Sequence, residues 1–566
     1  MQFLYKNIAV IHVFAVCATF AWLFGGVRPG WTVPVMPWIT ALLLEALVCF
    51  PQQHENEPMY DARERVWRAM RKDPLVWLSL AFVVLLAIPF INTGLCPICD
   101  YPEIQAGADS SPTIPSFPFC VSRRDHLDVV MWFVPSLAAM VAAKHALLKR
   151  GKRTLVAMIV WNGLALGVVG ALQQMTMATG PLWTVDFMKG VYFFSTFGYP
   201  NMAGDYFTTL FGLSVAMWRW NVEEVRMKAE GQDAAEHEQQ GRRAHAERMR
   251  EKGARADAEV AAEAVSAGTE VPAAERPPVR RDDSRGNSGH RRHSRAHLFA
   301  HRSSGVSFWK KHYYLIPAVI FFLCALDTLS RAAILSVTTL ALVFFFHSVM
   351  CFFKRMKRVQ RMKSVFVSAI VLSIISVCAV VFMPKDLQRE VNTVETIGTL
   401  DRLTGKGQYH VRVATAIWKD HILFGVGGWG YKHFNIQYMT DKELRNIQKL
   451  GGANVHNDYI QFLAEHGAVG LALLAVMVFL LVRPVLKVWK VLIESVRFVS
   501  SKDQPPVPVQ LFALPAPVFC ILLVAVSTLV HAFGDCPLRS PAVLSLFLVS
   551  LAAADGFLPK LVSKKH

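Results

Sequence analysis

The chain has 566 residues, 53% of them hydrophobic and only 18% charged, and the charges crowd into a few stretches between long apolar runs. This is the profile of a polytopic membrane protein and not of a soluble globular enzyme. The formal net charge of +18 suggests nucleic acid at first sight, yet the basic residues fall in loops and in one low-aliphatic tract, so no nucleic acid partner is assigned.

A spanning helix needs roughly 20 mostly apolar residues, and about twelve such runs are present. They lie at 8–25, 32–50, 75–92, 129–147, 154–172, 202–220, 313–329, 332–353, 364–382, 467–483, 509–531 and 541–557. The predicted fold is all-α, a polytopic integral membrane protein with about 12 transmembrane helices and a large extracytoplasmic loop. The first run is preceded only by Lys6 and followed by no small-residue cleavage site, so it is read as a retained span. Basic segments at 63–72, 149–153, 354–363, 483–502 and 560–565 share one side, which the positive-inside rule makes cytoplasmic.

The expected organisation is spans 1–6 in residues 1–220, a cytoplasmic charged insert at 221–312, spans 7–9 in 313–382, a periplasmic loop at 383–466 and spans 10–12 in 467–566. The insert holds only scattered Val and Leu among charged residues and alanines before Val306 and cannot bury a core. It reads as a solvated segment attracting anionic lipid headgroups, with RNA or protein docking as the alternative.

In chain order, Cys96 and Cys99 ("CPIC"), Cys120 and Cys536 fall in outer loops. They are disulfide candidates, with redox chemistry as the other use. "STFGYPNMAGDYF" (195–207) opens the sixth span with Pro200 and Asn201 and places Asp205 a turn inside it. "LDTLSRAAIL" (326–335) sets Asp327 four residues before Arg331, so on continuous helix the two would face each other. An ionisable pair at membrane depth is either functional or a structural ion pair.

The large loop supplies Arg402, His410 and Arg412, then Gly425, Gly427 and Gly430 in a formal G-x-G-x-x-G. No βαβ unit or acidic residue at the right interval accompanies it, so it is not a dinucleotide fingerprint; a tight turn or a phosphate approach remains. "GGANVHNDYIQFLAEHGAVG" (451–470) then places Asn454 as a candidate N-cap, with His456, Tyr459, Ile460 and Leu463 on one helical face and Asn457, Gln461 and Glu465 on another. A first-turn histidine beside the positive helix end stays neutral and can accept a proton. A histidine merely hydrogen-bonded at a loop end is the plainer alternative.

Four segments, "TFGYPNMAGDYF", "SRAAIL", "WKDHILFGVGGWGY" with "HNDYIQFLAEHGAVG", and "HAFGDCPLRSPAV" (531–543), together resemble the O-antigen ligase and polysaccharide polymerase superfamily of bacterial inner-membrane enzymes. The chain departs from the family pattern at Ile422, where Pro is common, and in the 221–312 insert, which has no counterpart. The resemblance implies an undecaprenyl-diphosphate-linked glycan donor, a glycan or lipid A core acceptor, an active site facing the periplasm, and an inverting mechanism without metal or cofactor. No D-x-D occurs in the chain, in keeping with that expectation. It further implies that Arg331 and an outer-loop arginine, Arg412 in preference to Arg402, stabilise the diphosphate, because guanidinium grips phosphate oxygens in a bidentate way. His456 would orient or deprotonate the acceptor hydroxyl, Asn457 would shape the turn or hold that hydroxyl, and Asp327 would orient Arg331. Asn201 and His410 complete the substrate-facing set. Ligase, polymerase and protein O-oligosaccharyltransferase share these donor residues; an exporter of lipid-linked glycans is the reading from a different class.

Overall fold

A segment that crosses hydrocarbon must satisfy its backbone N–H and C=O groups internally, and a helix does so. A computed structural model of the chain describes residues 7–27, 29–92, 114, 116–184, 193–227, 249, 252–253, 308–353, 406–440, 454–500 and 514–558. Among them no strand occurs beyond one bridged pair, Phe194 with Phe197.

The N-terminal half contains α1 (Ile8–Trp22), α2 (Pro29–Cys49), α3 (Met59–Lys72), α4 (Pro74–Ala87), α5 (Arg123–His145), α6 (Lys149–Met175) and α7 (200–227). There follow α8 (Leu315–Asp327), α9 (Arg331–Phe353), α10 (Lys406–Asp420), α11 (Gly430–Phe434), α12 (Asp458–Ser500), α13 (Ala516–His531) and α14 (Pro541–Ala553). Eleven of the twelve apolar runs therefore coincide with helix, and the run at 364–382 lies outside the described residues. Five helical segments are long and apolar enough to cross a membrane: Thr32–Cys49, Arg123–His145, Lys149–Met175, Arg331–Cys351 and Asp458–Ile493. A sixth arises if α3 and α4, bent by 70° at Asp73, count as one span. The chain is thus an all-helical membrane protein with five or six long candidate spans among the described residues, plus shorter apolar helices.

Every residue of α14 is buried, which explains a sequence that is apolar all round and carries no polar face. It packs along α5, and α5 packs also on α2 and α1. The described residues between α9 and α12 have their own core, in which Tyr409, Val413 and Ile417 of α10 meet Tyr431, Phe434, Val455 and Ala464. Residues Asn221–His312 form a separate unit. Within that tract residues 221–227 and 308–312 are helical, and most of the rest lies outside the described residues.

The helix α12 is interrupted at Gly467, with φ 65° and ψ −174°. That backbone region belongs to glycine. The N–H groups of Ala468 and Val469 turn aside to the carbonyls of Ile422 and Leu423, at 2.8 and 3.1 Å. A Cβ at Gly467 would be driven into the Leu423 carbonyl. Gly467→Ala is expected to destabilise the protein by about 2–4 kcal/mol, read as a fall in the thermal midpoint in detergent. An unchanged midpoint would contradict the strained break.

Candidate active site

The polar face of the bundle is built where the start of α12 meets the turn after α13. Asn457 caps α12: its Oδ1 accepts from Ile460 N–H at 3.1 Å, and its Nδ2 donates to the Phe533 carbonyl at 3.0 Å. The cap is therefore Asn457 and not Asn454, because a capping oxygen must lie within reach of the N–H two or three residues on. His456 consequently precedes the helix, in the left-handed region at φ 56°, and does not share a helical face with Tyr459, Ile460 and Leu463. The Asp458 N–H donates to the Ala532 carbonyl at 2.9 Å, and its Oδ2 accepts from Leu538 N–H at 2.9 Å. Residues 456–458 are thereby zipped to the 532–538 segment.

This zip brings His456 to Asp535. His456 Nδ1 lies 3.1 Å from Asp535 Oδ1, which also accepts from the Tyr199 hydroxyl at 3.2 Å and the Cys536 N–H at 2.8 Å. Asn201 Nδ2 donates to the other carboxylate oxygen and to Tyr199 Oη. The Asp535 side chain is 1% exposed and that of His456 46%. Burial on its own raises the Asp535 carboxyl, but the hydrogen bond from His456, the imidazoles of His456 and His531, and the Cys536 N–H outweigh it and hold it below the usual carboxylate range. Burial first, then the Asp535 carboxylate, pushes the Tyr199 phenol well up, so it stays protonated as a donor. With Nδ1 turned to a buried anion, Nε2 of His456 is the nitrogen left for chemistry.

His410 joins the edge of this site. Its ring centre is 6.5 Å from that of His456, and its Nδ1 is 2.8 Å from the Tyr431 hydroxyl. Burial, then the neighbouring His456, pushes its imidazole down to about 4. The folded state therefore binds fewer protons here than the unfolded chain, and stability falls as pH drops from about 6.5 toward 4. His410→Gln should flatten the stability profile across that window, and an identical slope in the variant would contradict the assignment.

The remaining expected residues fall as follows. Arg412 is exposed, on the opposite face of α10 from His410, with its two terminal nitrogens 3.4 Å from the Tyr438 carbonyl. Arg402 lies outside the described residues. Asp327 and Arg331 are not on continuous helix: Asp327 ends α8, Arg331 begins α9, and Leu329 between them reverses the chain at φ 55°. That reversal packs on α7 at Gly204, where a side chain would strike Ala333 and Thr328, so Arg331 begins α9 beside the helix that carries Asn201.

The glycine segment serves the fold. Gly425 and Gly427 have φ of 66° and 82°, and the N–H groups of Val426 and Gly427 donate to the carbonyls of Ala464 and Glu465 at 3.0 and 2.8 Å. These donors satisfy the helix end before Gly467, and the Gly428 N–H is taken by His126 Nδ1 at 2.9 Å. The tight-turn reading holds, and a phosphate cradle does not.

The disulfide expectation is corrected for two cysteines: Cys120 and Cys536 are buried free thiols, one packed beneath Gly427 and the other beside Asp535. Cys96 and Cys99 lie outside the described residues. His456, Asp535 and Cys536 offer ligand atoms within 4.8 Å of one another, the one such group among the described residues. Burial, then the Asp535 carboxylate, pushes the Cys536 thiol well above its ordinary value, so it stays protonated beside Asp535. The Asp535 oxygens accept from Tyr199, Asn201 and the Cys536 N–H as well as facing His456, which orders a histidine–carboxylate pair at this point.

Residues 316–475 match the family model described as O-antigen ligase. The matched segment takes in Arg331, α10, the glycine turn and His456; Asn201 and Asp535 lie outside it. No curated protein matches the chain. The O-antigen ligase match and the apolar helices support a membrane enzyme acting on lipid-linked glycans. Asp535 and Tyr199 are site residues that the sequence alone does not mark, although both stand in the quoted family-like segments. The available signal was an acidic residue in "HAFGDCPLRSPAV", between two apolar runs.

Proposed function

We propose that the protein transfers a glycan from an undecaprenyl-diphosphate carrier to an acceptor hydroxyl at the periplasmic face of a bacterial inner membrane, most specifically O-antigen to a lipid A core sugar. The observation that carries this reading is the half-exposed His456 held through Nδ1 by buried Asp535, within a segment that matches the O-antigen ligase family. In this reaction the acceptor oxygen forms a bond to the anomeric carbon as the bond from that carbon to the diphosphate oxygen breaks. The bonding pair leaves with the lipid diphosphate, the acceptor proton passes to His456 Nε2, and Asp535 stabilises the resulting imidazolium. Attack opposite the leaving group inverts the anomeric centre. Arg331, with Arg412 or Arg402, meets the charge growing on the diphosphate, and a set of guanidinium groups does this without a metal.

A polymerase, which moves one lipid-linked chain onto another, uses the same donor chemistry. The glycan pattern of a deletion strain on a gel separates the two. Loss of long lipopolysaccharide with accumulation of full-length lipid-linked polymer is the result expected of a ligase. Core capped by a single repeat would transfer the assignment to a polymerase, and glycan-lipid confined to the inner leaflet would indicate an exporter.

A further inference from the structure

Asn201 and Asp205 are four residues apart on α7, so their side chains rise from one face of that helix. His531 and Asp535 are likewise four apart at the end of α13, and the two pairs meet rung to rung. The first rung is Asn201 Nδ2 to the Asp535 carboxylate. The second is Asp205, whose Oδ1 lies 3.1 Å from His531 Nδ1 and whose Oδ2 accepts from the Thr528 hydroxyl at 2.9 Å. Asp205 and the His531 ring are both buried, with side chains 0% and 1% exposed, so neither reaches the open side of the site.

The two rungs are coupled through the backbone. The His531 carbonyl accepts from the N–H groups of Gly534 and Asp535, at 3.0 and 3.1 Å. The residue gripped by Asp205 is thus the anchor of the turn that presents Asp535 to His456. Breaking one partner of a buried hydrogen bond leaves the other polar group unsatisfied, so this rung resists opening.

We propose that Asp205 is a positioning residue: through His531 it fixes the 531–535 turn, and thereby the geometry of the Asp535–His456 pair. Its kinetic consequence rests on the glycosyl-transfer reading, whereas the fixing of the turn does not. A shift of about 1 Å at a reacting group can reduce turnover on the order of 10²-fold, so a loosened turn has a measurable effect.

Two measurements on the full chain in detergent or vesicles test this. In a variant retaining Cys536 as its one thiol, a maleimide probe reads the turn directly, because that buried thiol adjoins Asp535. Asp205→Asn is expected to speed labelling of Cys536 roughly tenfold or more by raising local opening; equal protection overturns the proposal. In the transfer assay Asp205→Asn should lower kcat by roughly 10- to 100-fold with KM little changed, and the double variant with Asp535→Asn should be no slower than Asp535→Asn alone. Additive losses, or a loss confined to KM, overturn the positioning role. Should Asp205→Asn fail to fold, His531→Phe removes the same rung from the other helix with ring volume kept, and the same outcomes apply. If the wild-type protein transfers no glycan, the functional reading fails on its own, and the labelling result still decides whether Asp205 fixes the turn.

Discussion

His456→Ala is expected to slow glycan transfer on the order of 10²–10⁴-fold, the range for removing a general acid or base, while donor binding stays near wild type. The donor's diphosphate is assigned to arginines, so loss of an imidazole leaves its main contacts in place. The site favours a large kinetic effect because His456 is held at Nδ1 by a carboxylate that is itself fixed by Tyr199, Asn201 and the Cys536 N–H. A pH–rate profile measured on the variant gives the second reading. Loss of one ionisation limb marks a proton acceptor, whereas a profile of unchanged shape with a smaller loss, recovered at high acceptor concentration, marks a positioning group.

Asp535→Asn is expected to reduce kcat by roughly 10²–10³-fold, by analogy with other histidines oriented by a buried carboxylate. The substitution keeps the shape but removes the charge that stabilises imidazolium, and it sets an amide N–H among groups that already donate. The same carboxylate has a sign for stability. Its folded-state value is held below the usual range, so its contribution is present above the unfolded value and is lost as pH falls through the folded one. Near neutral pH, then, Asp535→Asn should lower the thermal midpoint as well as the rate, and the stability difference from wild type should shrink as the solution is acidified through the carboxylate range. A variant with wild-type kcat would remove Asp535 from the mechanism.

The helices were legible because long apolar runs have few alternatives in lipid. The central position of α14 is consistent with its lack of any polar face, and α10 shows its buried side at Tyr409, Val413, Ala414 and Ile417. Local spacing was a poorer guide where the backbone leaves the helix. The continuous helix assumed between Asp327 and Arg331 breaks at Leu329, and the cap is Asn457 in place of Asn454 because the amide that stabilises α12 also reaches Phe533 across the bundle. His456 was visible within its family-like segment, but its partner was not. Asp535 is 79 residues further along the chain, and Asn201 is separated from it by 334. Only helix packing brings the three together, and no periodicity in either segment encodes that meeting. The glycines of the "GVGGWG" stretch show the converse case: a pattern suggestive of phosphate is used to let one backbone approach another.

The central claim is that His456, held by Asp535, accepts the acceptor's proton in glycan transfer from a lipid diphosphate. The most direct measurement reconstitutes the purified chain in vesicles with lipid-linked glycan and lipid A core, and follows extended acceptor and free lipid diphosphate together in wild type and His456→Ala. The account predicts equimolar appearance of both products with wild type and a loss of 10²-fold or more of both with the variant. Wild-type-like product formation by folded His456→Ala, or no formation by wild type, would contradict it.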